Sequence, residues 1–304
     1  MFPMNYRALG KTGATVSEVG MGCNRLAEPY HPDGHWIGLV QRAVELGVNI
    51  FDTAESYKAG GSERILGKAL GNRDDVLVAT KMGGPGRDFS ASRVVECAEA
   101  SLDRLKRDRI DIFHMHSPNR QEMETYDWTE GLSRLLRDGK IRFRAVSANN
   151  AADSIWLIEQ GLVDVLQITY NILDVQSEEA LFTLAEQRGI GLLCRLPLAQ
   201  GILTGKFRPG QKVPEDHRAH RAYNRMEERI ERAEDLRPLG AQYEGGMTRL
   251  ALHFSLTPRA ISAIIPGSRT LEQLEDNVAA SNVTGLPRDV REEIDRVRAQ
   301  WMAG

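Results

Sequence analysis

Short apolar runs alternate with amphipathic stretches along nearly the whole chain. The runs are Val19–Asn24, a second carrying Val48, Ile50 and Phe51 and stopping at Asp52, then Val76–Thr80 and Ile110–Met115. Phe143–Val146, Val165–Thr169, Ile190–Cys194 and Ile261–Ile265 complete the set. Between them, apolar residues recur at helical spacing: around Trp36–Leu46, closed by Gly47; after Ser62, with Ile65, Leu66, Ala69 and Leu70; and over Ser90–Leu105. Asp127 and Glu130 have capping-box spacing before a helix to about Arg137, and Ser62 is placed to cap the helix it opens. Further helices are predicted over Ser177–Gln187, Thr248–Ser255 and Leu271–Ala280, with a last one capped by Asp289-Val-Arg-Glu292 and running to about Trp301. Ahead of the first run, Tyr6–Val19 folds back at Lys11-Thr12-Gly13 and reads as a hairpin. Eight apolar runs alternating with helices predict parallel strands buried on both faces, and with right-handed crossovers these give a (β/α)8 TIM barrel. The hairpin would plug the barrel bottom, and the last helix would pack outside.

Length agrees with one domain over residues 1–304, in which a long loop spans about 205–247. At 41% hydrophobic and 27% charged, the chain is globular. A net charge of -3 speaks against a nucleic-acid protein, and no apolar stretch reaches the length of a membrane span. Three scattered cysteines form neither a disulfide framework nor a metal knot, so no metal is expected and a reducing cytoplasm fits. No glycine-rich dinucleotide fingerprint of the open-sheet kind is present, which disfavours that fold.

Active sites of such barrels lie at the C-terminal strand ends. There the runs end on Asp52, Lys81, His116, Ser147 and Arg195, while Gln167 lies near the end of its run and Tyr57 in the loop after the second. Reducing a carbonyl takes a hydride donor, a proton donor and a group that stabilises negative charge on oxygen. An unassisted phenol is too weak an acid by about 4 kcal/mol. A cation about 4 Å away supplies an attraction of that order at an effective dielectric of about 20. Tyr57 is the candidate acid and Lys81 the candidate cation. Asp52 would hold the lysine, and His116 would orient the substrate oxygen. The plainer alternatives are a structural Asp52–Lys81 ion pair and a core histidine at 116. His114, two residues earlier on the same strand face, reads as a barrel-interior histidine.

In that order and on those strands, Asp52, Tyr57, Lys81 and His116 resemble the tetrad of the aldo-keto reductase superfamily. The segments YRALGKTG, FDTAESYKAGGSE, VATKMG, IDIFHMHSP, PLAQGILTGKF and IPGSRTLEQLEDN resemble its sequence blocks from Tyr6 to Asn277. The resemblance implies a nicotinamide cofactor lying extended across the rim. Ser147 and Gln167 match positions that hold its carboxamide, although Ala148 stands where most relatives have Asn. Arg195 falls where many relatives stack a tyrosine on the nicotinamide ring. Leu198, Gln200, Gly201, Leu203, Gly205 and Lys206 resemble the loop over the pyrophosphate. Gly267, Ser268 and Arg269 precede a helix, a setting that attracts phosphate. By analogy Ser268 and Arg269 take the 2′-phosphate, with Gln273, Asp276 and Asn277 near it and the adenine, which favours NADP over NAD. Thr270 and Gln273 also have the spacing to cap that helix.

The implied activity is reduction of aldehydes or ketones. Relatives also include sugar or polyol dehydrogenases run in the oxidative direction and redox-sensing modules that turn over slowly. A cofactor-free aldolase using Lys81 as a Schiff base is a further alternative. The walls expected to select a small carbonyl or sugar-like substrate are Asn24–His35 (with Tyr30 and His31), Met82–Phe89, Ser117–Tyr126 and Arg208–Arg229. In the last of these, His217, Arg218, His220 and Arg221 leave room for an anionic substrate, although the segment reads first as a solvated lid or helix.

Overall fold

The computed structural model describes residues 4–83, 87–175, 179–212, 225–281 and 285–303. Strands β1 (Tyr6–Ala8) and β2 (Thr15–Ser17) form the antiparallel hairpin. Then follow β3 (Met21–Gly22), α1 (Asp33–Glu45), β4 (Ile50–Asp52), α2 (Gly61–Leu70), β5 (Leu77–Met82), α3 (Ala91–Leu105) and β6 (Ile110–His116). Next come α4 (Arg120–Thr125), α5 (Trp128–Arg137), β7 (Ile141–Ser147), α6 (Ala151–Glu159), β8 (Val165–Thr169), α7 (Glu179–Arg188) and β9 (Gly191–Arg195). The chain closes with α8 (Met226–Asp235), α9 (Arg237–Gln242), α10 (Gly246–Leu256), β10 (Ile261–Ile264), α11 (Leu271–Val278) and α12 (Arg288–Ala303). Strands β3 to β10 stand in chain order in one eight-stranded sheet, and every neighbouring pair is parallel. Parallel bridges Val19–Ile264 and Gly22–Gly267 join its two edges, so the sheet is the (β/α)8 barrel that the alternation predicts.

Strand side chains alternate in and out, and this places the polar rim. Ile50, Leu77, Ala79, Ile112, Ala145, Val165, Leu193 and Ala263 form one inner cluster with Leu9, Ala14 and Val16 of the hairpin, which plugs the barrel. The residues between them, among them Phe51, Val78, Phe113, Val146, Leu166 and Leu192, belong to the outer core with the helices. Two residues above the inner layer, the same parity brings Asp52, Lys81, His114, Ser147, Gln167 and Arg195 inward, with His116 two residues above His114 on its strand. The large apolar side chains are spent outside, so the inner face is free to carry polar groups at its top.

Several local expectations are corrected. Ser62 does not cap α2; the helix starts after Gly60 at φ +77, and the buried Ser62 hydroxyl donates to the Cys23 carbonyl. Asp127 makes no capping box, because its carboxylate accepts from the Ala91 amide instead. The capping box that forms is Asn119 with Glu122, opening α4, a helix not predicted. Helix α6 was also not predicted, although Asn150 caps it by accepting from the Asp153 amide. Asp289 lies inside the first turn of α12 rather than at its cap. The charged stretch after residue 224 is helical, as α8 and α9. His217, Arg218, His220 and Arg221 lie outside the described residues. Among those described, no helix is long and apolar enough to cross a membrane.

Candidate active site

Lys81 and Asp52 lie on neighbouring strands, and both side chains are withdrawn from water: 0% of the lysine and 5% of the aspartate is exposed. The ammonium donates at 2.7 Å to each Asp52 carboxylate oxygen and at 2.7 Å to the Thr53 carbonyl, matching its three protons. Two charges this deep are tolerable only when paired and fully hydrogen-bonded. Gln167 extends the network, its Nε2 donating to Asp52 at 2.7 Å while its Oε1 accepts from the Ser147 hydroxyl at 3.2 Å.

Tyr57 stands over this pair. The loop between β4 and α2 is stitched to β5 by the Glu55 amide on the Lys81 carbonyl and by the Gly83 amide on the Glu55 carboxylate. Lys58, Ala59 and Gly60 then follow in left-handed backbone, which turns the chain directly after the tyrosine. The Tyr57 ring lies 5.3 Å from Lys81 Nζ, measured to its centroid, and 6.0 Å from the His116 ring, edge to face at 84°. One rung below, His114 is fully buried opposite Lys81, with neither ring nitrogen in hydrogen-bonding geometry with a described partner. Burial, and then the Lys81 charge, hold its pKa well below the usual imidazole value, so it is a neutral interior group.

A cleft of about 740 Å³ opens above these residues, lined by Asp52, Tyr57, His116 and Gln167 and by Arg25, Lys206 and Arg269. The three cations come from the loops after β3, β9 and β10, neighbours around the barrel. Burial first, and then the guanidinium groups of Arg269 and Arg25, lower the basicity of the Lys206 amine. Cys23 also lines the cleft, but burial and the Asp52 charge raise its thiol pKa, which makes it a poor nucleophile. Among the described residues, eight of the nine non-glycine residues with positive φ sit in loops at this rim: Ala27, Lys58, Ala59, Arg87, Ser117, Leu196, Ala199 and Gln200. Such strain concentrates at functional sites.

A sequence model of the aldo/keto reductase family matches residues 18–299. The chain belongs to the aldo/keto reductase family. It is 31% identical over 316 residues to an L-galactose dehydrogenase from Arabidopsis thaliana, covering 98% of this chain and 95% of that one. An NADH-specific methylglyoxal reductase from Escherichia coli is 32% identical over 324 residues, covering 95% of this chain and 98% of that one. Among solved structures, the holo form of an aldo-keto reductase from Bacillus halodurans superimposes with a TM-score of 0.81 at 26% identity, over 97% of this chain and 96% of that one.

In this aldo/keto reductase the cleft gathers most of the sequence-predicted cofactor positions: Gln167, Arg195, Leu198, Gln200, Gly201, Lys206, Gly267, Arg269, Gln273, Asp276 and Asn277. Ser147, Leu203, Gly205 and Ser268 do not line it. Ser147 is buried beneath Arg195, whose Nη1 donates to its hydroxyl at 3.2 Å. Leu203 turns into the core as the apolar side of a 3-10 turn, and the Gly205 carbonyl accepts from Arg237. Ser268 is 1% exposed and accepts from Asn277 Nδ2 at 3.0 Å. Thr270 accepts from the Gln273 amide and caps α11, while the Gln273 side chain accepts from the Arg269 amide. Arg195 also donates to Thr169 Oγ1, Ser117 Oγ and the Ala148 carbonyl, tying four strand ends together. Asn149 donates to the Ser117 carbonyl and Asn150 caps α6, so both asparagines after Ala148 have local partners. Arg25 was not singled out from the sequence beyond its place in the Asn24–His35 wall; its signal was a cation three residues beyond β3.

Proposed function

We propose that the protein is an NADP(H)-dependent oxidoreductase that reduces aldehydes or ketones to alcohols, with Tyr57 as the general acid. The observation that carries this reading is the buried Lys81 ammonium, fixed by Asp52 and Thr53, 5.3 Å from the Tyr57 ring at the floor of the cleft. A charge so fixed acts without reorganising and stabilises negative charge that develops on an oxygen beside it. Asp52 positions the lysine, Gln167 positions Asp52, and His116 donates a hydrogen bond that orients the substrate oxygen. Arg25, Lys206 and Arg269 in the cleft and the amide of Gln167 fit a nicotinamide dinucleotide with its phosphates toward Arg269 and Lys206. When bound, that group supplies the hydride.

Arg269 and Lys206 support NADP over NAD, although one relative is named NADH-specific. The name L-galactose dehydrogenase favours a second reading, in which a sugar or polyol is oxidised. Other relatives bear the name of potassium channel subunits, which keeps a redox-sensing module in view. Three free, buried thiols support a cytoplasmic setting. The deciding experiment follows nicotinamide absorbance with a panel of aldehydes, ketones and sugars for the parent and Tyr57→Phe. The expected result is turnover lowered by about 10²–10⁴-fold in the variant with dinucleotide affinity retained. Equal turnover in the two proteins removes Tyr57 from the chemistry, and tight binding with no turnover in the parent supports the sensing module.

A further inference from the structure

The loop after β3 carries a buried carboxylate that serves two parts of the site at once. Glu28 is 6% exposed, and its Oε1 takes Arg25 Nη1 at 2.8 Å and Lys58 Nζ at 3.2 Å. Tyr30 adds a hydrogen bond to the same carboxyl. The Glu28 carbonyl accepts from the Trp36 indole at 3.2 Å, which fixes the backbone beneath it. Although burial alone would raise it, these partners hold the Glu28 pKa down to about 2, so the group stays ionised. Lys58 is the residue directly after Tyr57, in left-handed backbone. Arg25, the other partner, lines the cleft, and its charge is felt by Lys206 together with that of Arg269.

Like charges are not gathered in a half-buried cleft without a cost, since each pair repels by kilocalories at the effective dielectric of a protein surface. Arg25 shares its carboxylate with Lys58, so the group Arg25, Lys206 and Arg269 keeps a positive surplus directed at one place. A guanidinium with one edge on Glu28 still presents donors from its other edge, the geometry suited to phosphate oxygens.

We propose that Arg25 is a third phosphate-binding arm of the dinucleotide cleft and that Glu28 is its positioning residue, aligning it and, through Lys58, the loop that bears Tyr57. This rests on the dinucleotide reading above. The phosphate it contacts is either the pyrophosphate or the 2′-phosphate, and a comparison of NADPH with NADH separates the two. The test titrates both nucleotides against tryptophan fluorescence for the parent, Arg25→Met, Arg25→Lys and the double variant Arg25→Met/Glu28→Gln. The double variant removes the carboxylate that the first leaves short of a partner. Expected is a 10- to 100-fold weaker Kd in Arg25→Met, carried into KM, persisting in the double variant and partly rescued by lysine. Weakening of both nucleotides assigns the pyrophosphate, and weakening of NADPH alone assigns the 2′-phosphate. Unchanged Kd in a folded Arg25→Met, or recovery in the double variant, overturns the proposal while leaving the dinucleotide reading intact. A parent that binds neither nucleotide overturns both.

Discussion

Lys81 is a charged side chain with no exposed surface, and a buried ion pair of this kind is a weak source of net stability. Lys81→Met leaves the Asp52 carboxylate buried with Gln167 alone. The expected loss is about 3–5 kcal/mol in urea denaturation, together with activity. Asp52→Asn/Lys81→Met should regain much of the stability and none of the activity. Two histidines set the acid limb. The pKa of His114 is held well below 6.5, and burial first, then Arg249, brings that of His253 from 6.5 down to about 4. In that window the unfolded chain binds protons that the folded protein refuses. Stability is therefore full above pH 6.5 and falls on acidification, by about 2 kcal/mol from pH 6.5 to 5 for His253 alone. Urea midpoints at pH 7 and pH 5 check this, and Gln at either position should flatten the slope. Asp52, Lys81 and His116 were legible in the sequence because strand parity carries a polar side chain at the end of an apolar run to the inner rim. Ser268 and Leu203 were not, because the turns that bear them rotate each away from the cleft, and no spacing rule encodes that rotation.

At the level of elements, caps compete for partners that only the assembled fold supplies. Asp127 and Glu130 have the right spacing, yet the Ala91 amide at the start of α3 claims the aspartate. Asn119 and Glu122 close their box even though Arg87 also donates to both oxygens of the Glu122 carboxylate. The strained rim residues could not be read from the chain either, because they are not glycines and their positive φ is imposed by the surrounding loops. Helix contacts give a sharper test. A Cβ at Gly131 of α5 would meet Val94 Cβ of α3 at 2.7 Å and the Ala91 carbonyl at 2.8 Å. Alanine favours a helix by about 1 kcal/mol over glycine. Overpacking at such a contact costs about 1–3 kcal/mol and should outweigh it. Gly131→Ala is therefore expected to lower Tm while leaving kcat close to the parent value, because α3 and α5 lie outside the barrel, away from the cleft.

The whole molecule is a polar rim standing on an apolar plug. Leu9, Ala14 and Val16 of the hairpin fill the lower opening, so the upper face can give its volume to a cleft. The eight-fold alternation was legible because parallel strands buried on both sides leave continuous apolar runs. Closure was predicted with it, and the structure makes it through a first barrel strand of only two residues meeting the last. Among the described residues, the two bridges of that junction carry the Gly20 amide on the Ile264 carbonyl at 2.8 Å, the Ile264 amide on the Glu18 carbonyl at 2.9 Å and the Gly22 amide on the Pro266 carbonyl at 3.0 Å. Gly22 and Gly267 both border the cleft as well. A molecule spanning them would act as a clasp, uniting the beginning and end of the barrel across its weakest join. Occupancy and the integrity of the fold then become one equilibrium, read out as slower deuterium uptake at Gly20 and Gly22 when NADPH is added. A protein built this way would be most open to proteases, and shortest-lived, whenever its nucleotide runs low.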